Sequence, residues 1–251
     1  MRWWIWLLAG LMPVSGASAA PTVVCRGAGH DRWLPYSYEL PDRTMAGAAH
    51  DILEQALAMV GLRYERRLVG PWKRVIASLE TGAIDIVAGA FPTAAREERF
   101  LFSTPLSEVP IHIFARTDRQ PTFERWEDLR GKRMVTSLGN SFGDAWDRFA
   151  RENLEIVWTS SVVEGVRMLR AGRVDFAVSP LDAGRLAVRA AGLEGLLVPL
   201  PRPLTVVSLS AVFAPGSPCA DRLPDINRAV ERLRADGEIE RILDRHREIR
   251  S

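Results

Sequence analysis

Thr93 and Arg96 are the residues of this sequence whose types and spacing best suit anion binding. They follow residues 84–88, an apolar run broken only by Asp85, which predicts a buried strand. Residues 89–93 are rich in breakers and predict a loop at the end of that strand. Ligands of open α/β sheets bind at the carboxyl ends of strands, and a guanidinium there can clamp a carboxylate or phosphate. The alternative is a surface arginine at the start of a helix.

The motif around Arg96 resembles a known family. Within residues 82–105, G-x-I-D, a hydrophobic strand, T-x-x-R and F-S-x-P follow one another. This order is similar to that of the periplasmic solute-binding proteins of family 3, the amino-acid-transporter type. The resemblance implies that Arg96 grips the ligand carboxylate beside Thr93, Ala90 and Phe91. It also implies the fold class: α/β, a two-lobed periplasmic binding protein of type II, each lobe a mainly parallel sheet flanked by helices, with the ligand cleft between the lobes.

Three aromatic residues extend the implied site. Trp33 and Tyr36 flank a proline shortly after the first predicted strand, residues 22–26. The resemblance implies that Trp33 stacks on the ligand with Tyr36 behind it, and core packing is the alternative, especially for Tyr36. Trp72 begins a predicted helix where family members place an apolar or aromatic residue against the ligand, and a core position is equally open for it.

A helix–glycine–strand unit occurs twice. Residues 75–90 and 165–180 carry leucine, glycine and aspartate at a constant offset of 90 (175 − 85). The repetition predicts one design used in two lobes that face each other across a cleft. Chance is the alternative, because G-x-hydrophobic-D is a common helix-to-strand junction.

The second copy of the unit and the turn before it supply the other side of the implied site. Ser141 and Asp144 are spaced like a capping box at a helix start. The resemblance implies that Asn140 and Ser141 meet the ligand carboxylate, whereas plain helix capping also explains Ser141. Where amino-acid binders carry an aspartate for the ligand ammonium, this chain has Pro180, and Asp182 is two residues further on. An ammonium buried without a carboxylate is costly, so an α-amino-acid ligand is in question.

The start of the chain predicts export. After Arg2, residues 3–14 are apolar but too few to span a bilayer, and residues 17–19 supply a small-x-small cleavage pattern. An uncleaved membrane anchor is the alternative. We therefore expect this organisation: a signal peptide, residues 1–19; lobe 1, residues 20–115 plus 207–251; and lobe 2, residues 116–206.

Composition narrows the function classes. The chain has 251 residues with a net charge of +2, so it shows no basic surface for nucleic acid. Its four histidines lack metal-ligand spacing, and we expect neither a metal nor another cofactor. Cys25 and Cys219 would meet an oxidising compartment after export, which favours a disulfide, with two free buried thiols as the alternative.

With these patterns, the resemblance implies a monomeric periplasmic protein without catalytic residues. Such a protein would capture a small carboxylate-bearing solute, an amino acid or a related compound, by lobe closure and deliver it to a membrane ABC permease. One alternative is an enzyme resembling cyclohexadienyl dehydratases, which would need Glu108 or Asp182 as a general acid. The other is a solute sensor that feeds a membrane receptor.

Overall fold

The computed structural model describes residues 23–248. The predicted signal peptide, residues 1–19, lies outside this range. Strands and helices alternate along most of the chain, as expected for an α/β protein. Within residues 23–248, every helix is too short or too polar to cross a membrane.

The strands form one large and one small sheet in the part of the chain described. The apolar run that follows the first Gly-x-x-Asp junction is buried along its whole length, as the sequence predicted for a central strand. The strands are β1 (Val24–Ala28), β2 (Arg32–Trp33), β3 (Ser37–Glu39), β4 (Met45–Ala46), β5 (Arg63–Arg66), β6 (Ile86–Ala90), β7 (Leu101–Arg116), β8 (Arg133–Ser137), β9 (Glu155–Thr159), β10 (Phe176–Pro180), β11 (Leu197–Pro199) and β12 (Thr205–Phe213).

Most of the helices are amphipathic and bury one apolar stripe in the core. In the first of them Ile52, Leu53, Ala56 and Leu57 are buried, which is the spacing of one helical face. The helices are α1 (Ala48–Met59), α2 (Trp72–Glu80), α3 (Ala94–Glu97), α4 (Asp144–Asn153), α5 (Val162–Arg170), α6 (Leu181–Ala190), α7 (Leu223–Ala235) and α8 (Glu238–Glu248).

The large sheet has nine strands in the order β5-β1-β6-β12-β7-β10-β8-β9, with β11 beside β7. Strands β5, β1 and β6 are parallel, and with their helices they are called the first lobe below. Strands β10, β8 and β9 are also parallel and belong to the second lobe. Between them, β12 and β7 run antiparallel to each other and to their outer neighbours. The two mainly parallel groups are therefore joined into one hydrogen-bonded sheet.

The strand register places the carboxyl ends of β6 and β10 opposite each other. Ala90, the last residue of β6, pairs with Ser210, which pairs with Pro105 of β7. Pro180, the last residue of β10, pairs with Ile111 of β7. The two strands point towards each other along β7, and their ends are six positions apart on it (111 − 105), about 20 Å at the usual strand rise. A ligand that enters this gap meets loops from both lobes.

The repeated unit predicted from the sequence is present in both lobes. Helices α2 and α5 begin and end 90 positions apart (162 − 72), and so do strands β6 and β10 (176 − 86). Gly82 and Gly172 both have φ of 69°, which ends each helix in the left-handed region. Asp85 and Asp175 each accept a backbone N–H from the neighbouring strand, at 2.9 and 2.8 Å. The two halves of the gap therefore rest on the same local design.

A disulfide joins Cys25 of β1 to Cys219, in the segment that precedes α7. Their Cα atoms are 5.9 Å apart and both residues are buried. Of the alternatives left open by the sequence, the structure therefore contains the bond and not two free thiols. It ties the first strand of the first lobe to the helices that complete that lobe at the end of the chain.

Candidate ligand-binding site

Arg96 lies on α3, the short helix directly beyond the end of β6. Thr93 is the N-cap of this helix, and its hydroxyl accepts the backbone N–H of Arg96 at 3.3 Å. One guanidinium nitrogen, Nη1, donates to the carbonyl oxygen of Phe91 at 2.7 Å. The loop therefore holds the arginine by its backbone and by its side chain, as a binding residue requires.

The guanidinium of Arg96 is half-buried and has no carboxylate partner. Within residues 23–248, no carboxylate oxygen lies within 4.0 Å of its nitrogens. Burial lowers the pKa of Arg96, and the Asp147 carboxylate in the second lobe acts in the opposite direction. A partly desolvated cation with spare N–H donors at a strand end has the chemistry to bind an anion.

Aromatic rings surround Arg96 on the first lobe. Its guanidinium carbon lies 5.8 Å from the centre of the Trp72 ring, and His30 stacks on Trp72 with ring centres 5.9 Å apart. Trp33 packs edge-on against Phe91 at 5.2 Å and against Tyr36 at 5.2 Å. Trp33 and Trp72 remain half-buried, whereas Tyr36 is 1% exposed and belongs to the core behind Trp33.

Residues of the second lobe close over this surface. Asp144, at the start of α4, accepts the backbone N–H of Ala94 at 3.0 Å. A Cβ atom added to Gly139 would lie 3.6 Å from Cδ1 of Trp72, so the turn before α4 touches the first lobe as well. The loops of the two groups of strands thus meet at the gap. Two shallow surface cavities, of about 200 and 290 Å³, lie elsewhere, the first beside Arg185 and Pro199 and the second beside Trp126 and Arg202.

The predicted capping box at α4 is wrong. The N-cap of the helix is Gly143, without a side-chain cap, because Asp144 reaches across the gap. The hydroxyl of Ser141 donates to Asp147 instead, and Asn140 donates to the hydroxyl of Thr136 at 3.3 Å. Asn140 and Ser141 do lie at the turn that faces the first lobe, and their contact with a ligand remains a prediction.

At the end of β10, Pro180 is buried and forms the N-cap of α6. Asp182 follows in the first turn of the helix, where its Oδ2 accepts Nε of Arg247 from α8 at 3.3 Å. Asp182 is therefore already ion-paired within the chain.

Four charged or polar residues at the gap were missed by sequence reasoning: His30, Asp144, Asp147 and Arg247. A signal existed for His30, because it precedes Trp33 at the same strand end. The pairing of Arg247 with Asp182 joins positions 65 residues apart and has no local signal.

A sheet whose two parallel groups are joined by antiparallel crossing strands is the architecture of the two-lobed periplasmic binding proteins, and Arg96 lies beyond the end of β6, at the gap between the two groups. Within that class, the chain belongs to the bacterial extracellular solute-binding proteins, family 3, whose sequence profile matches residues 26–248.

Two proteins with sequence similarity to this chain differ from each other in length and in the role that their names state. A membrane-bound lytic murein transglycosylase F from Thiobacillus denitrificans is 33% identical over 177 residues, covering 67% of this chain and 36% of that protein. The chain thus spans about a third of the transglycosylase's length. A putative amino-acid ABC transporter-binding protein, PatH of Vibrio harveyi, is 23% identical over 250 residues and 96% of both chains.

Solved structures share the fold over nearly the whole chain. A histidine kinase sensor domain with similarity to periplasmic binding proteins superimposes with a TM-score of 0.73 at 25% identity, covering 90% of this chain and 95% of that one. The ancestral amino acid-binding protein AncCDT-1, a precursor of cyclohexadienyl dehydratase, superimposes with a TM-score of 0.70 at 20% identity, covering 90% of this chain and 95% of that one.

Proposed function

We propose that this protein captures a small carboxylate-bearing solute, an amino acid or a related compound, and delivers it to a membrane ABC permease. The observation that carries the proposal is the half-buried guanidinium of Arg96, which has spare donors and no carboxylate partner in residues 23–248. Membership of family 3 and the full-length similarity to PatH support the transport role. The protein acts in the periplasm, as a monomer, after removal of residues 1–19.

The proposed mechanism is a hinge motion. The ligand docks on lobe 1, residues 20–115 plus 207–251, with its carboxylate on Arg96 and Thr93 and the rest of the molecule against the aromatic rings. Lobe 2, residues 116–206, then closes around β7 and β12. The residues proposed to meet the ligand are Trp33, Tyr36, Trp72, Ala90, Phe91, Thr93, Arg96, Asn140, Ser141, Pro180 and Asp182.

The two residues considered as general acids for dehydration have contacts that are consistent with binding without catalysis. Asp182 is ion-paired with Arg247, and Glu108 accepts the hydroxyl of Ser208 at 2.8 Å. Incubation with prephenate should therefore leave phenylpyruvate absorbance at the level of a protein-free blank. A rise that scales with protein concentration would instead establish the dehydratase alternative.

The second candidate function is a sensor, which the likeness to a histidine kinase sensor domain favours. Both roles bind a solute and differ in the partner. Deletion of the gene should abolish uptake of the labelled solute if the protein serves a permease. Normal uptake with an altered transcriptional response to the solute would assign the sensor role.

Arg96 provides the direct test of binding. A thermal-shift screen of amino acids, hydroxy acids and keto acids identifies a carboxylate ligand, and calorimetry then compares variants. Arg96→Ala should weaken binding by about tenfold or more, because a charge-assisted contact contributes about 1.5–3 kcal/mol.

The matched control is Arg99→Ala, three residues along, whose guanidinium pairs with Glu80 on the surface. It should bind like the wild type. Equal affinity of Arg96→Ala and Arg99→Ala would remove the proposed anion clamp.

A further inference from the structure

One hydrogen bond joins the two lobes directly beside Arg96. Oδ2 of Asp144, the first residue of α4, accepts the backbone N–H of Ala94, the first residue of α3, at 3.0 Å. Ala94 is two residues before Arg96 on the same short helix. The contact therefore places a carboxylate of the second lobe against the loop that holds the proposed clamp.

A second carboxylate of α4 faces the same loop. Asp147, three residues after Asp144, acts by its charge on Arg96, although its oxygens lie more than 4.0 Å from the guanidinium nitrogens. The hydroxyl of Ser141 and the backbone N–H of Phe142 both donate to Asp147, so this carboxylate is held within the second lobe. The first turn of α4 thus presents two negative charges to the Arg96 loop, one held in its own lobe and one bonded across the gap.

Asp144 makes no hydrogen bond or ion pair within its own lobe, as far as residues 23–248 show. Gly143 is the N-cap of α4, and no side chain caps this helix. No Lys, Arg or His nitrogen in the same range lies within 4.0 Å of the Asp144 oxygens, and the N–H of Ala94 is their hydrogen-bond donor. Asp144 and Ala94 are both exposed, so water can replace each partner when the contact opens.

A ligand carboxylate on Arg96 would be the third carboxylate at this loop. Like charges brought together beside a partly desolvated group repel each other, so one of the three has to move away. Asp147 is held by two hydrogen bonds from its own lobe, whereas Asp144 is held by one exposed hydrogen bond from the other lobe. Asp144 is therefore the carboxylate that the ligand can displace.

We propose that Asp144 is an autoinhibitory residue, whose carboxylate covers the Arg96 loop in the ligand-free protein and is displaced by a carboxylate ligand. It lowers the affinity of the site without contacting the bound ligand. This inference rests on the proposed function, because it needs a carboxylate bound at Arg96. The opposite role is that of a latch, which would keep its bond to Ala94 after the ligand has bound. The two roles predict opposite effects of removing the Asp144 side chain.

The contact itself is tested without any ligand. Amide hydrogen exchange followed by NMR gives the protection of the Ala94 N–H in the ligand-free protein. Asp144→Ala removes the acceptor, so this N–H should exchange about threefold or more faster than in the wild type. Glu152→Ala is the matched control, because Glu152 carries the same charge in the last turn of α4 and is exposed. Equal exchange rates in all three proteins would overturn the inference.

The competition is tested by calorimetry with acetate, L-leucine, 2-hydroxyisocaproate and 2-oxoisocaproate as probes. Asp144→Ala should bind the probes that the wild type binds about three- to tenfold more tightly, as expected when one exposed hydrogen bond no longer has to be broken. Asp144→Asn loses the charge but keeps an acceptor oxygen, so its affinity should lie between those of the wild type and Asp144→Ala. Glu152→Ala should bind like the wild type.

The results distinguish a failure of this inference from a failure of the proposed function. Where the wild type binds a probe, unchanged affinity in Asp144→Ala overturns the inference alone, and weaker binding overturns it in favour of the latch. Equal gains in Asp144→Ala and Glu152→Ala would assign the effect to net charge and also overturn it. If neither the wild type nor Asp144→Ala binds any of the four carboxylates, the proposed function and the inference fail together.

Discussion

Arg96 and Arg247 are both arginines at the gap, but their neighbours give them different roles. Arg96 faces a carbonyl oxygen, an indole ring and a carboxylate beyond ion-pair distance, so its charge is available to a ligand. Arg247 faces Asp182 and Asp244 at 3.3 and 3.0 Å, so its charge is used within the chain. The identity of the nearest acceptor therefore distinguishes an arginine with donors left for a ligand from one whose charge is paired within the chain.

His50 is a buried residue whose hydrogen bonds require the neutral ring. Ser37 donates its proton to the His30 carbonyl, so it accepts from Nε2–H of His50, at 3.0 Å. Nδ1 then accepts from the Tyr64 hydroxyl at 2.8 Å. This tautomer follows from the bonding pattern. Burial, helped by the positive charge of Arg66, lowers the pKa of His50 to about 3.

The resulting prediction concerns stability against pH. Between about pH 6.5 and 3 the unfolded chain binds a proton at His50 that the folded protein does not, so the free energy of unfolding rises with pH. The contribution approaches about 1.4 kcal/mol per pH unit. Burial lowers the pKa of His30 as well, which adds to the slope.

Urea unfolding between pH 4.5 and 6.5 should show this slope, and His50→Gln should reduce it by about one proton. This pH range lies above the range in which protonation of Asp51 and Asp85, whose pKa values are lowered, dominates the pH dependence of the free energy of unfolding. An identical slope in the variant would contradict the assignment.

At the scale of elements, the helix–glycine–strand unit is used twice with unequal support. Asp85 accepts from the backbone and the guanidinium of Arg26, both at 2.9 Å, and from the Ser217 hydroxyl at 3.1 Å. Burial acts to raise the pKa of Asp85, but these hydrogen bonds outweigh it and lower the pKa. Asp175, its counterpart, is exposed and accepts one backbone N–H.

Removing each aspartate should therefore have different costs. Asp85→Ala should lower the free energy of unfolding by about 2–3 kcal/mol, because it leaves the buried Ser217 hydroxyl and the part-buried N–H groups of Arg26 without this acceptor. Asp175→Ala, the matched change in the other copy, should cost about 1 kcal/mol or less. Urea denaturation of the ligand-free variants measures both. Equal losses would show that the shared sequence pattern, and not the local contacts, sets the stability.

The elements were predictable where their signals are local. Periodicity and glycine positions predicted α2, β6, α5 and β10, and the motif after β6 predicted that Arg96 lies at a strand end. Strand β7 begins at Leu101 and reaches Arg116, and its first part depends on a distant partner, because β12 pairs with residues 101–111 of it. Contacts between distant segments, such as Asp144 with Ala94, carry no periodic signal and needed the folded chain.

The whole molecule is organised by the two long strands that both lobes share. Because β7 and β12 continue the sheet from one lobe into the other, bending between the lobes must be absorbed where their pairing is irregular. The register shifts of β12 fall between Leu209 and Val212, beside the gap. The closure proposed above would therefore bend the sheet beside the end of β6, where Ser210 pairs with Ala90.

The disulfide acts on the same scale, because the loop between Cys25 and Cys219 contains the entire second lobe. A separation of 194 residues corresponds to about 5 kcal/mol of loop-closure entropy, and measured values are typically about 2–4 kcal/mol. Replacing both cysteines by serine should therefore lower the free energy of unfolding by about 3–5 kcal/mol. Cys25 lies on β1 two residues before Gly27, which pairs with the first residue of β6, whereas Arg96 follows the last residue of β6. Affinity for a carboxylate measured well below the unfolding temperature should therefore be unchanged.

Reduced wild type is the control for this variant and should match it in urea denaturation. A urea midpoint equal to that of the oxidised protein would mean that the disulfide is not needed to hold the first lobe together. The core and the sheet would then be enough to join the two chain segments of this lobe. A loss of affinity in a variant that remains fully folded would have a different meaning, because the disulfide would then position the strand end proposed to hold the ligand. The disulfide would in that case contribute to the site as well as to the stability of the lobe.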